Sequence, residues 1–98
     1  MPTPQQVLDT LRGVIDPDVG INIVDLGLVE SVAIQPAAVR VNLIMTTPAC
    51  PQSGYLRDEC ERLLSEAGMA SEVAVVDSPL WAPERLSAGA REALGWNG

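Results

Sequence analysis

The sequence predicts a small α+β domain over residues 1–98, in the order helix, strand, strand, helix, strand, helix, with helices covering one face of a short sheet. Three observations carry this. Apolar residues recur at helical spacing from Val7 to Ile15 and again from Leu56 to Ala67. Between them, Val39, Val41, Leu43 and Met45 alternate with polar neighbours, which is the period of a half-buried strand. Finally, 98 residues with 47% apolar content suffice for one packed core and leave no room for a second.

The elements follow in chain order. In "TPQQVLDTLRGV", Thr3 is a good N-cap, Pro4 suits the first helical position and Gln6 stands at capping-box spacing. Val7, Leu8, Leu11, Val14 and Ile15 then share one helical face, and Gly13 ends or frays the helix. Residues 16–27, "DPDVGINIVDLG", read as a structured loop held to the core by Ile21, Ile23 and Leu26. Residues 28–35 form a strand with Leu28, Val32 and Ile34 on one face, and residues 39–46 return as its antiparallel partner across "PAA". A helix over about 51–67 buries Leu56, Cys60, Leu63, Leu64 and Ala67, with Gly68 just beyond its end. Residues 72–77 are the third strand. The last helix is capped by Ser87 and closed by Gly95.

Phenylalanine is absent and aromatics make up 3%, so the core is aliphatic. The net charge is -7, with six scattered arginines and no lysine, which excludes the basic stripe of a nucleic-acid binder. "MPTPQQVLDT" has neither the basic nor the apolar region of a secretion signal, and no apolar run reaches membrane-spanning length. The expected compartment is the cytoplasm, where thiols stay reduced.

The chemistry centres on "TTPACPQSG", residues 46–54. With Pro51 as the first helical residue, Cys50 becomes the N-cap, its sulfur beside unpaired amides at the positive end of a helix dipole. Such a place lowers a thiol pKa, and the thiolate is the form that binds metal or attacks. Thr46 and Thr47 add hydroxyl donors. The bland alternative is a small residue packed at a strand-to-helix corner. Cys60, by contrast, completes the apolar stripe between Leu56 and Leu64 and reads as core. Ten helical residues put the two cysteines about 15 Å apart, too far for a disulfide or a chelate. The chain has no histidine, which removes the usual base of thiol hydrolases. One thiol cannot fill a cluster site, so any metal must be shared with a second chain, a small thiol or a client. In the aspartate loop, Asp16, Asp18 and Asp25 shape turns, or Asp18 and Asp25 turn carboxylates toward the Cys50 corner; the EF-hand spacing is absent. Trp81 and Trp96 read as covers of the core edge, and "SPLWAPERLS" reads equally as a partner-facing flap.

Taken together, "DPDVGINIVDLGLV", "TTPACP", "SPLWAPERLS" and "LGW" resemble the metal-sulfur cluster biosynthetic family, which includes SufT-like and PaaD-like bacterial proteins. The resemblance spans nearly the whole chain. It implies an iron–sulfur cluster assembly-type α+β fold and an assembly or delivery adapter rather than an enzyme. It also implies a site of Asp16, Asp18, Asn22, Asp25, Thr46, Thr47 and Cys50. Cys50 would then be a transient thiolate ligand to iron or an iron–sulfur cluster. Its partners would be iron–sulfur scaffold or client proteins, or a second copy in a homodimer, with no nucleic acid and no membrane. Two other classes remain: an interaction adapter that binds no metal, and a single-thiol redox protein working through mixed disulfides.

Overall fold

The computed structural model describes residues 2–46 and 53–95. Helix α1 spans Pro4–Leu11 and is opened by the expected capping box. The Thr3 hydroxyl accepts from the Gln6 amide at 3.1 Å, and the Gln6 side chain accepts from the Thr3 amide at 2.9 Å. These bonds satisfy two amides that a helix start otherwise leaves to water. Val7 and Leu11 point fully into the core.

The apolar stripe does not continue to Ile15 as predicted. The helix stops at Leu11, and Ile15 is 45% exposed. The chain turns instead into β1 (Ile15–Asp16), which pairs antiparallel with β2 (Ile21–Asn22). The segment read as a structured loop thus contains a two-residue ladder. Ile23 and Leu26 are buried as foreseen, and Ile21 packs partly against the core.

The main sheet has the order β3-β4-β5, with β3 at Val29–Ile34, β4 at Val39–Leu43 and β5 at Ser71–Val75. β3 and β4 form the expected antiparallel hairpin. A register shift between Val29 and Ser31 adds a residue, so Val29, Val32 and Ile34 pack inward while Leu28 is buried just before the strand. β5 runs parallel to β4, with Val41 opposite Val73 and Leu43 opposite Val75. Helix α2 (Ser53–Glu66) is the crossover that a parallel pair requires. It buries Leu56, Cys60 and Leu64. Gly68 follows in the left-handed conformation, where a Cβ would be strained. The third strand ends at Val75, two residues short of the reading from sequence.

After β5, residues 78–87 make a short segment containing a single 3-10 turn, Pro83–Arg85, and lead into α3 (Ala88–Leu94). The Ser87 hydroxyl accepts from the Ala90 amide, and Gly95 closes α3 with φ 74°. Both caps match expectation. Trp96 and the expected helix start at Pro51 lie outside the described residues.

Replacing Thr3 by Ala should cost about 1 kcal/mol, because the Gln6 amide loses its acceptor. Urea unfolding should show a lower midpoint with an unchanged slope. A midpoint equal to that of the parent would mean that the capping box does not support the fold.

Candidate functional site

The aspartate loop is built by its own side chains. Asp16 is 7% exposed, and its carboxylate accepts from the Asp18 amide at 2.8 Å. Its carbonyl accepts from the Gly20 amide, and Gly20 takes φ 72° to close the turn. Asp18 itself is exposed. Further on, the Asn22 side-chain oxygen accepts from the Asp25 amide, and the Asn22 amide group donates to Asp25 Oδ2, each at 2.9 Å. Asp25 Oδ1 accepts from Arg12 at 2.8 Å. The Asn22 bond foremost holds the Asp25 carboxyl below its ordinary value, against the opposing effect of burial. The hydrogen bond and charge of Arg12 and the Ser87 hydroxyl add to the lowering. Asp25 is therefore an ionised carboxylate at neutral pH with both oxygens engaged.

Residues 78–87 dock on this loop as a flap. Trp81 donates its ring N–H to the Leu26 carbonyl at 2.7 Å, and Arg85 Nε donates to the Gly27 carbonyl at 2.8 Å. The Ser87 amide donates to the Asp25 carbonyl at 2.8 Å. Gly27 has φ 77°, and a Cβ there would overlap the backbone of Arg85. Only glycine permits so close an approach.

Thr46 sits just past the end of β4 and lines a cavity of about 470 Å³ with Met45, Ser53, Val75, Asp77 and Trp81. The parallel crossover produces this arrangement: the end of β4, the start of α2 and the end of β5 meet at one end of the sheet.

The sequence-predicted residues thus fall into separate groups. Asp16 and Asp18 share a turn. Asn22 and Asp25 form a network with Arg12 and Ser87, two residues the sequence reading did not include. Thr46 faces the cavity with Ser53 and Asp77, also not foreseen. None of the three aspartates of the loop lines that cavity among the described residues. Thr47 and Cys50 lie outside the described residues, and so does any approach of Asp18 or Asp25 to that corner. Among the described residues, no group of three His, Cys, Asp or Glu side chains is placed to hold a metal ion.

A sequence profile described as "Iron-sulfur cluster assembly protein" matches residues 4–77, from α1 to the end of β5 and the two residues after it. The chain belongs to the iron–sulfur cluster assembly protein family. The Fe-S protein maturation auxiliary factor SufT of Staphylococcus aureus is 38% identical over 85 residues, covering 84% of this chain and 97% of that protein. The Fe-S protein maturation auxiliary factor YitW of Bacillus subtilis is 30% identical over 94 residues, covering 93% and 92%. Among solved structures, a domain of unknown function from Bacillus anthracis superposes with TM-score 0.89 at 34% identity, covering 96% of this chain and 92% of its own. The α+β class expected from the sequence is the one this family adopts.

Within this family member, Cys60 has a fixed chemical character. It is fully buried, and its thiol is pushed up to about 12, first by burial and then by the charges of Glu61 and Glu59. At neutral pH it is a protonated core residue, as its place in the apolar stripe implied.

Two outcomes follow from this geometry. The native chain should show no reaction of Cys60 with a thiol reagent at pH 7 until denaturant is added; rapid labelling of Cys60 in a Cys50→Ala background would overturn its assignment to the core. For Asp25, the native carboxyl titrates below the ordinary 3.8 that applies in the unfolded chain. Between those values the unfolded state binds more protons, so this contribution is complete above about pH 4 and is lost as pH falls through the native value. Asp25→Asn should therefore flatten the acid limb of the stability curve in chemical denaturation, and an unaltered limb would contradict the network.

Proposed function

We propose that the chain is an assembly or delivery adapter for iron–sulfur proteins, with Cys50 offering one thiolate to iron or a cluster in transit. The observation that carries this reading is the sealing of Cys60 in the core. With that thiol protonated and the chain free of histidine, Cys50 is the single thiolate donor the protein has to offer. Cluster sites use about four thiolate or imidazole ligands, so the remaining ligands come from the client, the scaffold or a second copy. Incomplete ligation suits hand-off, because a closed four-ligand site retains its cargo.

Membership of the assembly family supports the role, and so do the names of the S. aureus and B. subtilis relatives as maturation auxiliary factors. A Synechocystis protein named iron–sulfur cluster carrier matches over 62 residues, 63% of this chain and 18% of its own length. In this reading the cluster is cargo, and the chain binds and presents it without catalysing a reaction. Asn22 and Asp25 position the loop that carries the flap, and Asp16 holds the turn before it. Thr46 and Thr47 flank the thiolate and donate hydroxyls to sulfur or to a bridging sulfide. The place of action is the cytoplasm, where Cys50 stays reduced. No helix among the described residues is long and apolar enough to cross a membrane.

The test is a Cys50→Ser substitution in cells, read on several cluster-dependent enzymes. Their activities should fall together while their protein levels hold, and undiminished activities would remove the thiolate role. In parallel, anaerobic reconstitution of the purified chain with iron and sulfide should give weak cluster absorbance that increases when a small thiol supplies the missing ligands.

A further inference from the structure

The cavity at the end of the sheet lies beside the most exposed large apolar side chain of the fold. Leu80, in its lining, is 75% exposed, and Val75, also in the lining, is 39% exposed. Pro79 and Trp81 continue the apolar wall. Val75 is also the last residue of β5, and β5 is an edge strand of the sheet with no strand beyond it among the described residues. An open edge presents unpaired backbone donors and acceptors to any extended chain that lies along it.

The charge pattern selects among such chains. Every arginine is engaged within the fold. Arg12, Arg40, Arg57 and Arg62 lie in ion pairs with Asp25, Glu72, Asp58 and the pair Glu59 and Glu66. Arg85 and Arg91 donate to backbone carbonyls. With no lysine, the net charge of -7 is carried by acids that have no cation. Asp77 is one of them: it lines the cavity, is exposed, and has no ion-pair partner among the described residues. An apolar hollow with an unneutralised carboxylate, lined by the last residue of an edge strand, is complementary to an extended chain carrying an apolar side chain beside a cationic one.

We propose that the cavity and the outer edge of β5 receive an extended segment of the client protein, with an apolar side chain in the hollow and an adjacent arginine or lysine against Asp77. The identity of the occupant as a client rests on the adapter role above; the residues that carry the surface are Val75, Asp77, Pro79, Leu80 and Trp81. β-Augmentation supplies affinity through main-chain hydrogen bonds, and the hollow and the carboxylate supply selectivity.

The experiment uses the full chain and three fluorescein-labelled dodecapeptides of extended character, with Leu-Arg, Leu-Glu or Ser-Arg at the centre. Anisotropy should show binding of the Leu-Arg peptide, about tenfold or more over each of the other two, and weakened by salt. Asp77→Asn should lower affinity about three- to fivefold and reduce the salt dependence, while Leu80→Ser should lower it about tenfold. Both side chains are exposed, so neither change threatens the core. The peptide readout needs no iron and no cluster, so failure of this surface is read apart from failure of the thiolate role, which the Cys50→Ser cells and the reconstitution test. Equal binding of the Leu-Arg and Leu-Glu peptides, absence of binding by any of the three, or indifference to Leu80→Ser would overturn the proposal. A dimer of the parent chain that Leu80→Ser converts to monomer would also overturn it, by making a second copy the occupant.

Discussion

Parallel pairing of β4 and β5 is the constraint from which the rest of the molecule follows. Two parallel neighbours cannot be joined by a tight turn, so the chain must travel back along the sheet before β5 begins. Helix α2 makes that journey, and its Leu56, Cys60 and Leu64 close the core as it does so. The crossover leaves β4 and β5 ending at the same end of the sheet, with α2 starting there too. Thr46, Ser53 and Asp77, distant in sequence, become neighbours around one hollow for this reason alone.

A second layer of construction holds the flap in place. The aspartate loop is anchored to the core by Ile23 and Leu26, and its turns are shaped by carboxylates and amides bonding at short range. Asp16 fixes one turn and the Asn22–Asp25 pair fixes the next. The loop then presents the Leu26, Gly27 and Asp25 carbonyls in succession to Trp81, Arg85 and the Ser87 amide. Asp16 and Asp25 thus spend carboxylate oxygens on holding the loop.

The parts of this architecture governed by local rules were readable from the sequence. The Thr3–Gln6 capping box, the Ser87 cap, the Gly95 terminus and the alternation of Val39, Val41 and Leu43 each depend on residues within a few positions of one another. So does the burial of Cys60, which follows from its spacing to Leu56 and Leu64. What escaped depends on distant partners. The extra residue in β3 is visible only once β4 lies beside it, and Ile15 turns outward because β2 offers it a partner. The Arg12–Asp25 bond joins positions 13 residues apart across a helix end, and no spacing rule points to it. Asp77 looked like the end of a strand, since its role at the hollow depends on where α2 returns the chain. Of the residues the family resemblance implied, Asp16, Asn22 and Asp25 hydrogen-bond within the loop, the Asp18 amide donates to Asp16, and Thr46 lines the hollow.

The seclusion of Cys60 bears on how the molecule ages. Peroxides attack thiolates that solvent can reach, and each step from sulfenic to sulfonic acid adds polar oxygen. Inside an aliphatic interior such oxygen would be ruinous, yet this sulfur is protonated and beyond the reach of the oxidant. Oxidative damage is therefore kept out of the packing on which the architecture relies.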